Sequence, residues 1–464
     1  MANLVWRVRL VAELEPGVVS ETEVARIVRD EQASLAELGL SLAEAKRLTA
    51  ALQAQIVPAQ VAALGVRHRL CEACGRVLVS KGHYAATFRS LFGDVPVRVQ
   101  RRLACPCQGA AGVKSRTVLE LGKDALAPEL ACVTARYAAL APFGKVAALL
   151  SELLPLGGAQ HASTVRSRTL RVGAEIVRAH AAASASEPAL PASGPVVVGI
   201  DAGYVRHRHR AEGRRFEVVA GKVIQADGGQ HRFAFTRTGP TATAEAFRAA
   251  LAAAGVSADT PATVLCDGDA GLWRLQRKVL PGAAVVLDWW HAAVRFEHAL
   301  QAARSLGAGT AEASLAATAV RGLERAKWRL WHGRWPGCWR RLAALCRWAE
   351  RKAVRDVVGT DKLRQHVADL LGHLERNAAA LVHYAARRRR GEPIATSFVE
   401  SAVDEIISWR MAKAQQMRWS RATVPAFLDV HTAVLNDTLE DAFRHRHPGF
   451  RPANDEWKPM AVAA

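Results

Sequence analysis

The chain has 464 residues, half of them hydrophobic, with 63 Lys and Arg against 43 Asp and Glu and a formal net charge of +20. That length implies roughly two to four domains with ordinary cores, and the composition excludes a disordered or fibrous chain. So large a basic surplus repels itself unless an anion offsets it; nucleic acid is the partner it suits best, and a solvated basic surface is the plain alternative.

No run of eighteen or more uncharged apolar residues occurs, so no membrane span is expected. The opening "MANLVWRVRLVAELEPG" carries charges inside its apolar run, unlike a secretory signal. Eight cysteines are too few for a disulfide framework. A reducing cytoplasm is therefore expected, and the Ala- and Arg-heavy usage suits a GC-rich bacterial genome.

In chain order, residues 1–65 read as a helical N-terminal region. A short strand, "VWRVRLVAEL", precedes two helical patterns, "SETEVARIVRDEQASLAEL" and "SLAEAKRLTAALQAQIVPAQVAAL", each with Ser or Thr at its start and Glu behind it. Residues 66–120 read as a zinc-ribbon-like domain. "CEAC" (Cys71, Cys74) and "CPC" (Cys105, Cys107) bracket an apparent hairpin, and two such pairs suit a structural tetrahedral Zn²⁺ site with no open position. Cys132, Cys266, Cys338 and Cys346 are scattered and read as core residues.

Residues 121–178 read as a helix-turn-helix-like domain, with Ser163 opening the second helix and Arg166 and Arg168 in its first turns, placed to read DNA. Residues 179–195, "AHAAASASEPALPASGP", read as a linker.

Beyond the linker, residues 196–295 give three strand candidates in succession, "VVVGIDAGYV", "FEVVAGKVIQ" and "HRFAFTRTG". A helix, the buried strand "ATVLCDGD", a second helix and the strand "GAAVVLDWW" follow. The order β-β-β-α-β-α-β is that of the ribonuclease H-like fold, in which the first and fourth strands lie side by side and parallel. Asp201 and Asp267 end those two strands, and paired carboxylates of this kind are stabilised by hard cations, Mg²⁺ or Mn²⁺. Asp269 is the alternative to Asp267. A third acid is available in "GEPIATSFVESAVDEIISWR": Glu400, with Asp404 one turn on as its rival.

With "GIDAGYV", "CDGDAGLW", "VVLDWWHA", "GEPIATSFVESAVDEI" and "QQMRWS", residues 195–440 resemble the DDE transposases of bacterial insertion sequences, specifically the ISKra group related to mutator-like transposases. The resemblance implies an α/β ribonuclease H-like catalytic core with an all-helical insertion at 296–392 and closing helices at 393–445, ahead of a tail at 446–464. It implies that Asp201, Asp267 and Glu400 hold two metal ions for DNA end cleavage and strand transfer. Asp288 and His291 of "LDWWH" resemble a supporting feature of the family. The chain departs from the small Gly/Ser residues usual ahead of the Glu, having "ATSF" instead.

The partners implied are transposon terminal inverted repeats and target DNA, with a homodimer or larger oligomer when two ends are synapsed, in a nucleoid-associated setting. A transposase-derived repressor with an idle catalytic site is the alternative. The run "ARRRRG" (Arg387, Arg388, Arg389, Arg390) and the later Arg410, Lys413, Arg418 and Arg421 are expected to contact phosphates.

Overall fold

The computed structural model of the chain describes every residue except 1–2, 15–16, 31–33, 109–114, 123, 159, 187–191, 193, 210, 212, 308–312, 396–402, 413–416 and 451–464. Two compact units emerge, Met1–Glu175 with Asp437–Ala464, and Ile176–Asn436.

The first unit opens on an antiparallel pair, β1 (Asn3–Leu14) and β2 (Gly17–Asp30). Here the sequence reading fails, because β2 occupies the stretch expected to be the first helix. Glu21 and Glu23 pair with β1 instead, with Arg9 reaching Glu21 at 2.8 Å and Arg7 reaching Glu23 at 3.5 Å across the strands. Thr22, Val24, Ile27 and Val28 supply the branched side chains a strand favours. The second expected helix does form, as α1 (Leu42–Arg67), with Ser41 and Glu44 making a reciprocal capping box.

A three-stranded antiparallel sheet follows, of β3 (Ser80–Ser90), β4 (Gly93–Leu103) and β5 (Ser115–Thr117). Val95, Val97 and Val99 of β4 alternate into a core with Val57 of α1. The segment Leu35–Arg67, which includes α1, is long and apolar enough to cross a membrane by length and composition alone. However, α1 packs on β4, and the buried Arg102 donates to its Gly65 carbonyl at 2.8 Å.

Helices α2 (Pro128–Leu140), α3 (Phe143–Leu153) and α4 (Ala162–Ser186) come next. Residues 154–161 join α3 to α4, a longer connection than the three or four residues of a helix-turn-helix. Helix α4 runs into the expected linker, since its Ala-rich sequence favours a helix until Pro188. The helix Leu439–Arg446, assigned from sequence to the catalytic core, belongs to this first unit, where Glu440 pairs with Arg136 of α2.

The second unit is built on a five-stranded mixed sheet. Its elements run β6 (Val196–Arg206), β7 (Arg215–Ile224), β8 (Gln230–Thr236), α5 (Pro240–Ala253), β9 (Ala262–Cys266), α6 (Ala270–Val279), β10 (Ala284–Leu287) and α7 (Trp289–Arg304). The sheet order is β10-β9-β6-β7-β8, antiparallel across β6-β7-β8 and parallel across β6-β9-β10.

The insertion is helical: α8 (Ala313–Trp331), α9 (Trp335–Ala349), α10 (Lys352–Arg355), α11 (Thr360–Arg376) and α12 (Tyr384–Arg389). Leu323, Leu330, Leu342, Leu370 and Leu374 join one continuous core with Val198 and Leu265 of the sheet. Trp331, Trp335 and Trp348 pack against that core, while Trp328 and Trp339 are exposed. A π-helix, Asp404–Ala412, and the helix Val424–Leu435 complete the unit.

Candidate active site and metal centre

Sheet register brings three aspartates to one level. The β6–β9 pairing ends at Gly199 opposite Leu265, so Asp201 and Asp267, each two residues on, stand at the same height. The β10–β9 pairing ends at Leu287 opposite Cys266, which puts Asp288 beside Asp267. Asp201 is not the last residue of its strand, as its sequence position suggested. Strand β6 continues to Arg206 against β7 alone, and Asp201 lies where the β9 side falls away.

The charges at this level are unequal in their surroundings. Burial pushes the Asp201 carboxyl up to about 6; Asp267 and Asp288 add to the rise, and the Ala202 N–H, which donates at 2.6 Å, and His291 oppose it. Asp288 is completely buried, caps α7 by accepting from the Trp290 N–H at 2.6 Å, and holds His291 Nδ1 at 2.7 Å. That hydrogen bond raises the His291 pKa, with the negative charges of Asp288, Asp267 and Asp201 acting in the same direction. The Asp288 hydrogen bond thus fixes the His291 ring beside the acids.

Asp269, weighed from sequence as a substitute ligand, has another task. Its Oδ1 accepts from the N–H groups of Gly271 and Leu272 and caps α6, with Arg237 at 3.8 Å. Capping commits that oxygen to the backbone. Asp267 in turn accepts from the Asp269 N–H at 2.9 Å.

The insertion braces the same loop, a contribution the sequence reading missed. Gly268 has φ +100°, and a Cβ there would meet Asn377 Nδ2 at 2.7 Å and His373 Cε1 at 2.8 Å. Asn377 Oδ1 accepts from Trp273 Nε1 at 2.7 Å, and the Tyr384 hydroxyl donates to the Leu287 carbonyl at 2.9 Å. His373 is buried, and among the described residues its Nε2 has no hydrogen-bond partner. Burial lowers its pKa to about 4, with Arg295 and Arg376 acting in the same direction and Asp267 against. Only the long sequence separation hid these residues; no local motif marks them.

Glu400 and Lys413 lie outside the described residues. Asp404, the rival to Glu400, is described, and with Ser408 of the π-helix it lines a cleft of about 410 Å³ that Asp201 and Tyr204 line from β6. The π-helix approaches closely because residue 203 is glycine; a Cβ there would meet Ile407 side-chain atoms at 3.0 Å. Oxygen donors at Asp201 and Asp267 suit a hard divalent cation, whose charge would offset the burial, and the lesser repulsion, that raise Asp201. Among the described residues, however, the acids do not form a group of three ligand atoms within 4.8 Å of one another.

The cysteine quartet does. Ligand atoms of Cys71, Cys74, Cys105 and Cys107 all lie within 4.8 Å of one another, with Cys71–Cys107 at 3.6 Å and Cys74–Cys105 at 3.5 Å, and none is in a disulfide. Four thiolates on a zinc ion would stand about 3.8 Å apart by tetrahedral geometry. The quartet could therefore hold a metal ion and is compatible with structural zinc. The first pair sits on a tight turn, in which Gly75, at φ +70°, donates to the Cys71 carbonyl at 2.8 Å. The backbone N–H groups of Ala73 and Cys74 pull the Cys71 thiol down to about 7, towards the thiolate a metal needs.

The basic residues divide. Arg388, Arg389 and Arg418 are exposed, as expected, and Arg166 is half-buried. Arg387 and Arg390 both pair with Glu392. Two expectations fail. Arg168 is buried and donates to Gln160 at 3.0 Å. Arg410 is only 2% exposed, 4.8 Å from the Phe427 ring centre and 5.2 Å from that of Trp419, and burial lowers its pKa to about 10. Both side chains are internal, so neither is a surface phosphate contact in this structure. No protein-family model and no curated protein matches the chain.

Proposed function

We propose that the chain is a DDE-type DNA transposase whose second unit is a ribonuclease H-like catalytic core. The observation that carries this reading is the common level of Asp201 and Asp267, each just beyond the point where the parallel β6–β9 pairing stops, in a sheet ordered β10-β9-β6-β7-β8. The helical insertion between α7 and the π-helix, the basic surplus and the motif resemblance add support.

Asp201 and Asp267 would hold Mg²⁺ or Mn²⁺, with Glu400 as the third acid. When bound, the two cations supply activation of water and charge neutralisation at the leaving 3′ oxygen. The protein's own residues do the positioning. Asp201 offers a carboxylate whose burial makes it eager for a cation; Asp267 is oriented by the Asp269 N–H. The His291 imidazole, tethered through Nδ1 by Asp288, stands beside the acids and is suited to donate from its other nitrogen to a non-bridging phosphate oxygen. In the first unit, Cys71, Cys74, Cys105 and Cys107 hold a structural Zn²⁺.

The test is cleavage of DNA carrying the element's ends. Asp201→Ala, Asp267→Ala and Glu400→Ala should each abolish Mg²⁺-dependent cleavage while retaining DNA binding. Cleavage that survives any one of these removes that residue from the site. Wild-type protein that binds the ends but never cleaves would favour the repressor reading.

A further inference from the structure

The cleft that begins at Asp201 has a second, basic end. Tyr204 and Arg206 follow on β6 and Arg215 stands on β7, and all three line the same cleft. Tyr204 and Arg206 are two residues apart and so share a strand face, the one opposite Asp201, and the cleft takes in residues of both faces. Arg206 and Arg215 are direct cross-strand partners. Like charges placed opposite each other weaken a strand pair, and among the described residues neither guanidinium has a carboxylate within 4.0 Å. Tyr204 is 62% exposed, so its ring is open to a ligand.

This end of the hairpin is held in place. The Trp419 N–H donates to the Arg206 carbonyl at 2.9 Å, and the Arg208 N–H donates to the Trp419 carbonyl at 2.8 Å. At strand rise, Tyr204 lies ~10 Å and Arg206 ~17 Å along β6 from Asp201. A flat aromatic face followed by two guanidiniums that have no ion-pair partner among the described residues is the chemistry that takes a base and its phosphates. The cleft volume, about 410 Å³, is that of a small-ligand pocket and not of a duplex-wide groove.

We infer that Tyr204, Arg206 and Arg215 form a binding site for one nucleic-acid strand, with a base on the Tyr204 ring and backbone phosphates between the two arginines. The site rests on the proposed phosphoryl-transfer reading only for its purpose, which is to hold a single strand leading away from the acids. Its binding chemistry stands without catalysis.

The experiment uses the full-length chain in EDTA, with cleavage disabled, and follows the fluorescence anisotropy of a labelled oligodeoxythymidine of about 10 nucleotides. The double variant Arg206→Ala/Arg215→Ala should bind about tenfold more weakly at ~0.1 M salt, with its salt slope reduced by about 1.4 for two lost phosphate contacts. Arg206→Lys/Arg215→Lys should keep most of that slope. Tyr204→Ala should weaken binding about fivefold or more, while Tyr204→Phe should match wild type, because stacking needs the ring and not the hydroxyl.

An unchanged affinity and slope in the alanine double variant would overturn the site. So would equal losses for Tyr204→Phe and Tyr204→Ala, or displacement of the oligonucleotide by polyglutamate at equal charge concentration. If the alanine double variant does not fold by circular dichroism, the lysine pair and the two Tyr204 variants decide the matter. Loss of cleavage in Asp201→Asn with oligonucleotide binding retained would show the two readings to be separable; a catalytic failure of wild type would leave this binding result standing.

Discussion

The cysteine quartet and the acidic site solve the same problem, gathering like ligands, in opposite ways. The four thiols come from two short turns flanking one hairpin, and every pairwise distance is already within 4.8 Å. The acids come from strands separated by a helix or more and reach one level only because of the parallel register of β6, β9 and β10. Local geometry closes the first site, whereas the second depends on the whole sheet and on the insertion packed behind it. A metal should therefore matter to folding in the first and mainly to chemistry and pH response in the second.

The largest expected effect tests the first half of that contrast. Cys105→Ser, or exhaustive chelation, should release one zinc per chain and unfold the β3–β5 region, since structural zinc supplies roughly 10 kcal/mol or more in small domains. Hydrogen exchange should show that loss while the β6–β10 sheet stays protected. Equal loss in both units would break the contrast.

Next is the pH response of Asp201. Its folded pKa, about 6, exceeds its usual 3.8. The folded state therefore binds the extra proton between those values, and stability falls as pH rises through that window and stays lower above it. Asp201→Asn should stabilise the metal-free protein at pH 8 by up to about 3 kcal/mol, with little gain near pH 4. Denaturant melts at the two pH values check this. Addition of Mg²⁺ should erase the wild-type deficit at pH 8 and leave the Asn variant unmoved.

A smaller effect probes the brace behind the acids. Gly268→Ala combines an unfavourable backbone angle with contacts to Asn377 and His373, and should cost about 2 kcal/mol. Cleavage should drop with it, while zinc content should not change. Smallest is a titration: Asp288→Asn removes the hydrogen bond that raises His291, so the His291 pKa should fall in an NMR titration. An unmoved value would mean that other charges, and not Asp288, hold the imidazole.

Much of this was legible in the chain. Asp201 and Asp267 stand out because each interrupts an apolar strand, and the two cysteine pairs stand out by spacing. The strand β2 was misread because its charges are spaced for either a helix or a cross-strand ladder, and only pairing with β1 decides between them. Arg168 and Arg410 were misread because arginine is ordinarily a surface residue, and nothing local announces that its stem and guanidinium are enclosed. His373 and Asn377 contribute through an insertion that sequence distance disguises. The basic stretch "RHRHRAEGRR" at 206–215 carries no local signal of its pairing, since its meaning lies in which arginines face each other across a turn.

The contacts from Asn377 and Tyr384 to Trp273 and Leu287 have an evolutionary consequence. A lineage cannot trade the helical insertion for another, or shed it, without orphaning an indole N–H and a strand-end carbonyl beside the acids. Positions 268, 273, 373, 377 and 384 should therefore drift together among descendants of this chain, as one inherited set, even where the rest of the insertion diverges freely.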